Sequence, residues 1–95
     1  MSEKRDAYVQ KMKAKLDEWN ADIAKLEAKA RQKDAEAREN VEGRIEELKA
    51  KRKTVEDDLD KLRKAGSDAW EDLKAGFEMA ADSLGESLRS ARSRF

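Results

Sequence analysis

VQKMKAKLDEWNADIAKLEAKA (residues 9–30) is the stretch whose reading decides the fold. Val9, Met12, Leu16, Trp19, Ile23, Leu26 and Ala30 follow one another at alternating steps of three and four. Nearly every residue between them is charged, amidated or alanine. On a helix of 3.6 residues per turn, that spacing gathers the apolar side chains into one narrow stripe. Such a stripe is the seam of a coiled coil and is stable in water only when other helices cover it.

Working outward, the seam weakens over RQKDAEAREN (31–40) and resumes in VEGRIEELKAKRKTVEDDLDKL (41–62) as Val41, Ile45, Leu48, Val55, Leu59 and Leu62. Counted through the weak patch, Lys33, Ala37, Val41 and Ile45 are separated by four, four and four. This reads as a stutter, an insertion that locally unwinds a left-handed supercoil. The patch contains neither Gly nor Pro, and most of its residues favour helix. Gly43 costs about 1 kcal/mol relative to Ala and reads as tolerated inside a helix. Arg52 stands where the seam wants an apolar residue; its methylenes can cover the seam while the guanidinium reaches water. One helix over about 3–64 is therefore expected. Ser2, Glu3 and Asp6 open it with the small polar and acidic residues that suit a helix N-terminus. Five acid-to-base pairs at i, i+4 support its surface: Glu27–Arg31, Asp34–Arg38, Glu47–Lys51, Asp57–Lys61 and Asp60–Lys64.

The clear break is Ala65-Gly66-Ser67-Asp68. Gly66 can take a left-handed cap conformation, and Ser67 or Asp68 can cap a new helix, with Asp68 and Glu71 spaced as a capping box. A turn at 65–67 and a second helix over about 68–94 follow. Its apolar face is Ala69, Trp70, Leu73, Phe77, Ala80, Leu84, Leu88 and Ala91. The fold class is thus all-α, a single domain built as an antiparallel coiled coil with a three-helix cross-section.

Composition agrees. Of 95 residues, 46% are charged and 38% hydrophobic, enough for a thin seam but not for a deep globular core. The 22 basic and 22 acidic residues cancel, so a nucleic-acid partner is not expected. By segment, residues 1–33 carry net +3, 34–66 net −1 and 67–95 net −2, which favours contact between the first and last. Cys and His are both absent, which removes disulfides, thiolate chemistry and imidazole acid–base catalysis. The serines carry no nucleophile motif, and the denser carboxylate groups, Glu46–Glu47 and Asp57–Asp58–Asp60, point in different directions on one helix. No metal, no cofactor and no catalytic residue is expected, and the chain reads as non-enzymatic. No apolar run approaches the roughly 20 residues needed to span a bilayer. MSEKRDAYVQ lacks the apolar core of a secretory signal, so the cytoplasm is the expected compartment.

LDEWNADIAKLEAKA (16–30), RIEELKAKRK (44–53), DAWEDLKAGFEMA (68–80) and SRF (93–95) resemble a family of short, uncharacterised bacterial coiled-coil proteins. The likeness covers most of the chain and is sharpest in the LDEWN and DAWEDLKAG pieces. It implies a helical fold and a cytosolic bacterial protein, and it brings no activity.

Two functional classes stand. One is a structural or protein-interaction module. The other is an amphipathic protein that associates with lipid or protects against stress. A membrane-surface role is not favoured, because the first two-thirds of the last helix is acidic and anionic lipid would repel it. Assembly has two solutions as well. A helix of 3–64 would be on the order of 90 Å long, and a last helix of about 40 Å would leave the Val9–Ala30 seam bare. An antiparallel homodimer covers that seam. A monomer bent near Gln32–Asp34 does so too. The lack of any Gly, Pro or strong cap at 31–36 favours the dimer.

Overall fold

The structure, a computed structural model, describes residues 3–95. The expected Ser2 cap lies outside them. Three helices of nearly equal length run up, down and up: α1 (Glu3–Arg31), α2 (Ala35–Lys64) and α3 (Ser67–Arg94). No strand occurs among the described residues. The all-α architecture with a three-helix cross-section is as the sequence led us to expect.

The continuous helix expected over 3–64 is instead two helices, and the bend at Gln32–Asp34 is the correction. The bundle is 51 Å long and 18 Å across, too short for the undivided helix. Local chemistry accounts for the break. Gln32 and Lys33 donate their backbone N–H to Lys29 and Ala30 at 3.1 and 3.2 Å, closing α1 in a tighter final turn. Asp34 then leaves the helix at φ −66° and ψ 170°, and its carboxylate accepts from the Ala37 N–H at 2.9 Å. Arg38 reaches back to the Lys33 carbonyl at 3.1 Å. The expected Asp34–Arg38 pairing thus gives way to two caps. The order of charge across the break, Lys29 and Arg31 ending one helix and Glu36 opening the next, also suits two dipoles rather than one.

The second turn also differs in detail. Gly66 is extended, at φ −79° and ψ 173°, not left-handed, and it is the N-cap of α3 without a side chain to serve as one. Its carbonyl accepts from Ala69 and Trp70. Ser67 and Asp68 fall within the first turn of α3, so no Asp68 capping box forms.

The core is a single file of apolar layers. Leu16, Ile23 and Leu26 from α1, Val41, Ile45, Leu48, Val55, Leu59 and Leu62 from α2, and Trp70, Phe77, Leu84 and Leu88 from α3 are buried. Val9, Ala30, Ala81 and Ala91 complete it, and no polar or charged residue is buried among the described residues. Of the α3 alanines, Ala81 and Ala91 are buried, while Ala80 is only half-buried and Ala69 exposed. Trp70, Phe77, Leu84 and Ala91 keep a strict seven-residue spacing, so the stripe holds its phase and Ala81 widens it by one position.

Polar contacts between helices set the register at the surface. Lys49 pairs with Glu27 at 3.2 Å, and Arg52 donates to Asn20 at 3.2 Å. Arg92 reaches Asp22 at 3.5 Å, and Lys51 donates to Ser87. Of the five surface pairs read from spacing, Asp60–Lys64 forms at 3.1 Å. Glu47 turns to Arg44, Asp57 to Lys53 and Glu27 to Lys49. The exposed pairs are each worth under about 1 kcal/mol, so the bundle rests on its apolar seam.

Two stability outcomes follow. Asp34→Ala should lower unfolding free energy by about 1 kcal/mol, the usual worth of an Asp cap. Gly43→Ala and Gly76→Ala should each raise it by up to about 1 kcal/mol, since a Cβ at either position meets nothing within 4 Å. Urea titration followed at 222 nm measures all three.

Candidate functional site

The three helices are not equally close. α2 packs tightly on both neighbours, while α1 and α3 stand further apart. Bulk explains the gap. The positions facing it on α1 are Tyr8, Met12 and Trp19, larger than the Val, Leu and Ile that face α2. Tyr8 packs edge-on against Trp70 (6.0 Å, 76°) and Phe77 (6.2 Å, 79°). Trp19 lies against Gly85, where a Cβ would sit 3.4 Å from its Cζ2 atom. Rings of this size hold the two backbones apart, and the indole sits so close to the α3 backbone at 85 that a side chain longer than a methyl would crowd it.

The result is an open groove of about 450 Å³ between α1 and α3, floored by Tyr8, Met12, Trp19, Phe77 and Ala81. It continues along Ala81, Asp82 and Gly85 toward Arg89 and Arg92. Its banks differ in charge. Lys11 and Lys15 stand on the α1 side, with Glu18 beside Lys15 at 3.6 Å. Glu78 and Asp82 stand on the α3 side. Lys15 also lies over the Trp19 ring at 5.8 Å, and Lys74 over the Tyr8 ring at 5.0 Å, close enough for cation–π attraction.

Tyr8 has the most altered chemistry here. Its hydroxyl is shut off from solvent and makes no hydrogen bond of good geometry. Its pKa is pushed up from 10.0 to about 12, chiefly by burial and then by the nearby Glu78 and Asp82 carboxylates, which oppose a second negative charge.

The seam residues singled out in the sequence divide between core and groove. Leu16, Ile23, Leu26, Val41, Ile45, Leu48, Val55, Leu59, Leu62, Trp70, Phe77, Leu84 and Leu88 are buried, and Phe77 also reaches the groove floor. Trp19 and Leu73 are half-buried, as an indole with a wet edge should be. Sequence reasoning missed Tyr8, Ala81 and Gly85. Tyr8 lies one step before Val9 on the seam, and its aromatic bulk was the available signal. The glycine's role could not be read locally, because its partner lies 66 positions away.

The basic run over 49–53 is dispersed rather than gathered. Lys49 meets Glu27, Lys51 meets Ser87, Arg52 meets Asn20 and Glu56, and Lys53 meets Asp57. No group of three or more carboxylates suited to a metal occurs among the described residues. No described helix is long and apolar enough to cross a membrane.

The chain has one tyrosine, so its ionisation can be read alone. Absorbance at 295 nm should titrate with a midpoint near 12, and Glu78→Gln should bring the midpoint back toward 10. Because the folded pKa is raised, the folded state holds its proton while the unfolded chain loses it. Stability from this group is full below about pH 10 and is lost between about 10 and 12.

No family model, curated protein or solved structure matches the chain.

Proposed function

We propose that this chain is a non-enzymatic helical interaction module that receives one amphipathic helix of a partner protein in the α1–α3 groove. The groove carries the reading. It lies between the two helices that pack least closely, it displays aromatic and methionine surface, and its banks are charged in opposite senses. Aromatic and Met side chains are the types enriched where proteins bind one another. A fourth helix laid there would complete the bundle by the same packing that built it. Its matching chemistry is a stripe of Leu, Ile or Met, with acidic residues on the flank facing Lys11 and Lys15. Basic residues would line the flank facing Glu78 and Asp82. In this reading the module acts in the bacterial cytoplasm, the compartment that the family resemblance implies.

The lipid-associating alternative has less support. The side chains that would enter a bilayer, Trp70, Phe77, Leu84 and Leu88, are spent in the core. α3 would have to leave the bundle to expose them.

A synthetic amphipathic helix with the stated flanks tests the reading, with Trp19 as reporter in a Trp70→Phe background. Saturable binding with a blue shift of Trp19 emission is expected. A peptide with exchanged flank charges should bind at least about tenfold more weakly, the equivalent of 1.4 kcal/mol. Equal affinity for the two peptides, or none for either, would sink the proposal. Uptake by anionic vesicles with the peptides ignored would favour the lipid reading instead.

A further inference from the structure

We propose that the turn at Gln32–Asp34 is a hinge through which two copies of this chain exchange α1, so that the bundle has a second, dimeric form. The partner is a second copy, and the interface is the one already present inside the monomer.

The turn is unusual in what it lacks. A sharp reversal between helices of 29 and 30 residues is made without glycine, proline or a left-handed residue. Arg31, Gln32 and Lys33 are all good helix formers. Apart from burial of the α1 seam, which the exchanged form keeps, the turn itself is held by a small set of polar bonds: the Ala37 N–H to the Asp34 carboxylate, and Arg38 to the Lys33 carbonyl. If these release, the residues of the turn can take helical φ and ψ at no steric cost, and α1 continues into α2.

An opened chain cannot cover its own α1 seam, because that seam now points away from α2 and α3. A second opened chain supplies the cover. Each α1 lies on the other copy's α2 and α3, and each contact of the monomer is remade between chains, including Glu27 with Lys49 and Trp19 with Gly85. Near-equal arm lengths make this possible, since α1 and α2 of opposite chains match end to end. Exchange of one element through a short connection is a low-cost route to a dimer. The free-energy difference between the forms is confined to the two turns and the loss of independent motion. Mass action therefore sets the balance, and the dimer gains with concentration.

Two substitutions push the hinge in opposite directions. Asp34→Ala removes a bond that only the closed turn makes. Losing one cap weakens the closed form about fivefold, and a dimer releases two, so dimerisation should tighten roughly thirtyfold. Ala35→Pro does the reverse. Position 35 is the first residue of α2, where proline is favoured, and Asp34 at φ −66° and ψ 170° already has the backbone that a residue before proline prefers. In the opened form residue 35 lies inside a helix, where proline clashes with the preceding turn.

Sedimentation equilibrium of the wild type, Asp34→Ala and Ala35→Pro over micromolar to millimolar concentration is the test. Each is paired with a cross-linking assay in a Glu27→Cys, Lys49→Cys background bridged by a short bis-maleimide. The chain has no other cysteine. Wild type should pass from monomer to dimer with concentration, Asp34→Ala should do so at about thirtyfold lower concentration, and Ala35→Pro should stay monomeric and fully helical. Bridging 27 to 49 should give a covalent monomer at low concentration and a covalent dimer in the dimeric fraction. A dimer that persists in Ala35→Pro overturns the proposal, as does one whose 27–49 bridge stays within a chain. So does an Asp34→Ala variant monomeric throughout, or an Ala35→Pro variant that loses helix. None of these outcomes touches the groove peptide assay, so the two proposals fail separately.

Discussion

Each helix carries an apolar stripe too narrow to form a core with one partner and too apolar to face water. The rest of the molecule depends on that constraint. Leu and Ile at three-and-four spacing cover a limited arc of a helix, and the remaining arc is charged. Three such stripes meet along one line and cover one another. Burying a Leu or Ile side chain yields about 1.5–3 kcal/mol, far more than any surface ion pair here contributes. The turns then need only be compatible with that meeting.

Compatibility differs between the two connections. Around residue 66 the chain breaks under a strong local signal, though the glycine does not use its special conformational freedom. At 32–34 nothing in composition forbids continuous helix, and the chain turns because the seam of α1 must be covered. A four-residue step in the apolar pattern reads equally as a stutter in one helix or as a fresh phase in a second. Asp34 between a basic last turn and an acidic first turn was the discriminating clue, and it weighs about 1 kcal/mol. Tertiary burial decided the matter with a larger sum.

That contrast marks how much was legible. Helical periodicity is a local property, so the seam positions Leu16 to Leu62 and most of the α3 face could be read from spacing. Ala81 was harder, because it lies one position off Ala80, the residue read from the three-and-four spacing of α3, and only its neighbours dictate its burial. The groove was harder still. Tyr8, Trp19 and Gly85 acquire meaning only when α1 and α3 lie side by side, which no local pattern encodes.

The core among the described residues holds no polar or charged residue, and this has a bearing on how the helices find their alignment. In many bundles a buried asparagine or ion pair penalises misaligned helices. Here the layers are chemically alike, and sliding one helix by a heptad would still place apolar on apolar. Trp19 lies against Gly85, where a Cβ would just be in ordinary contact at 3.4 Å, and a slip of α3 by one heptad would bring Glu78 or Arg92 there, whose longer side chains would crowd the indole. Alignment then costs least where the ring meets a small residue on the facing helix, and a slip by one heptad in either direction denies it that.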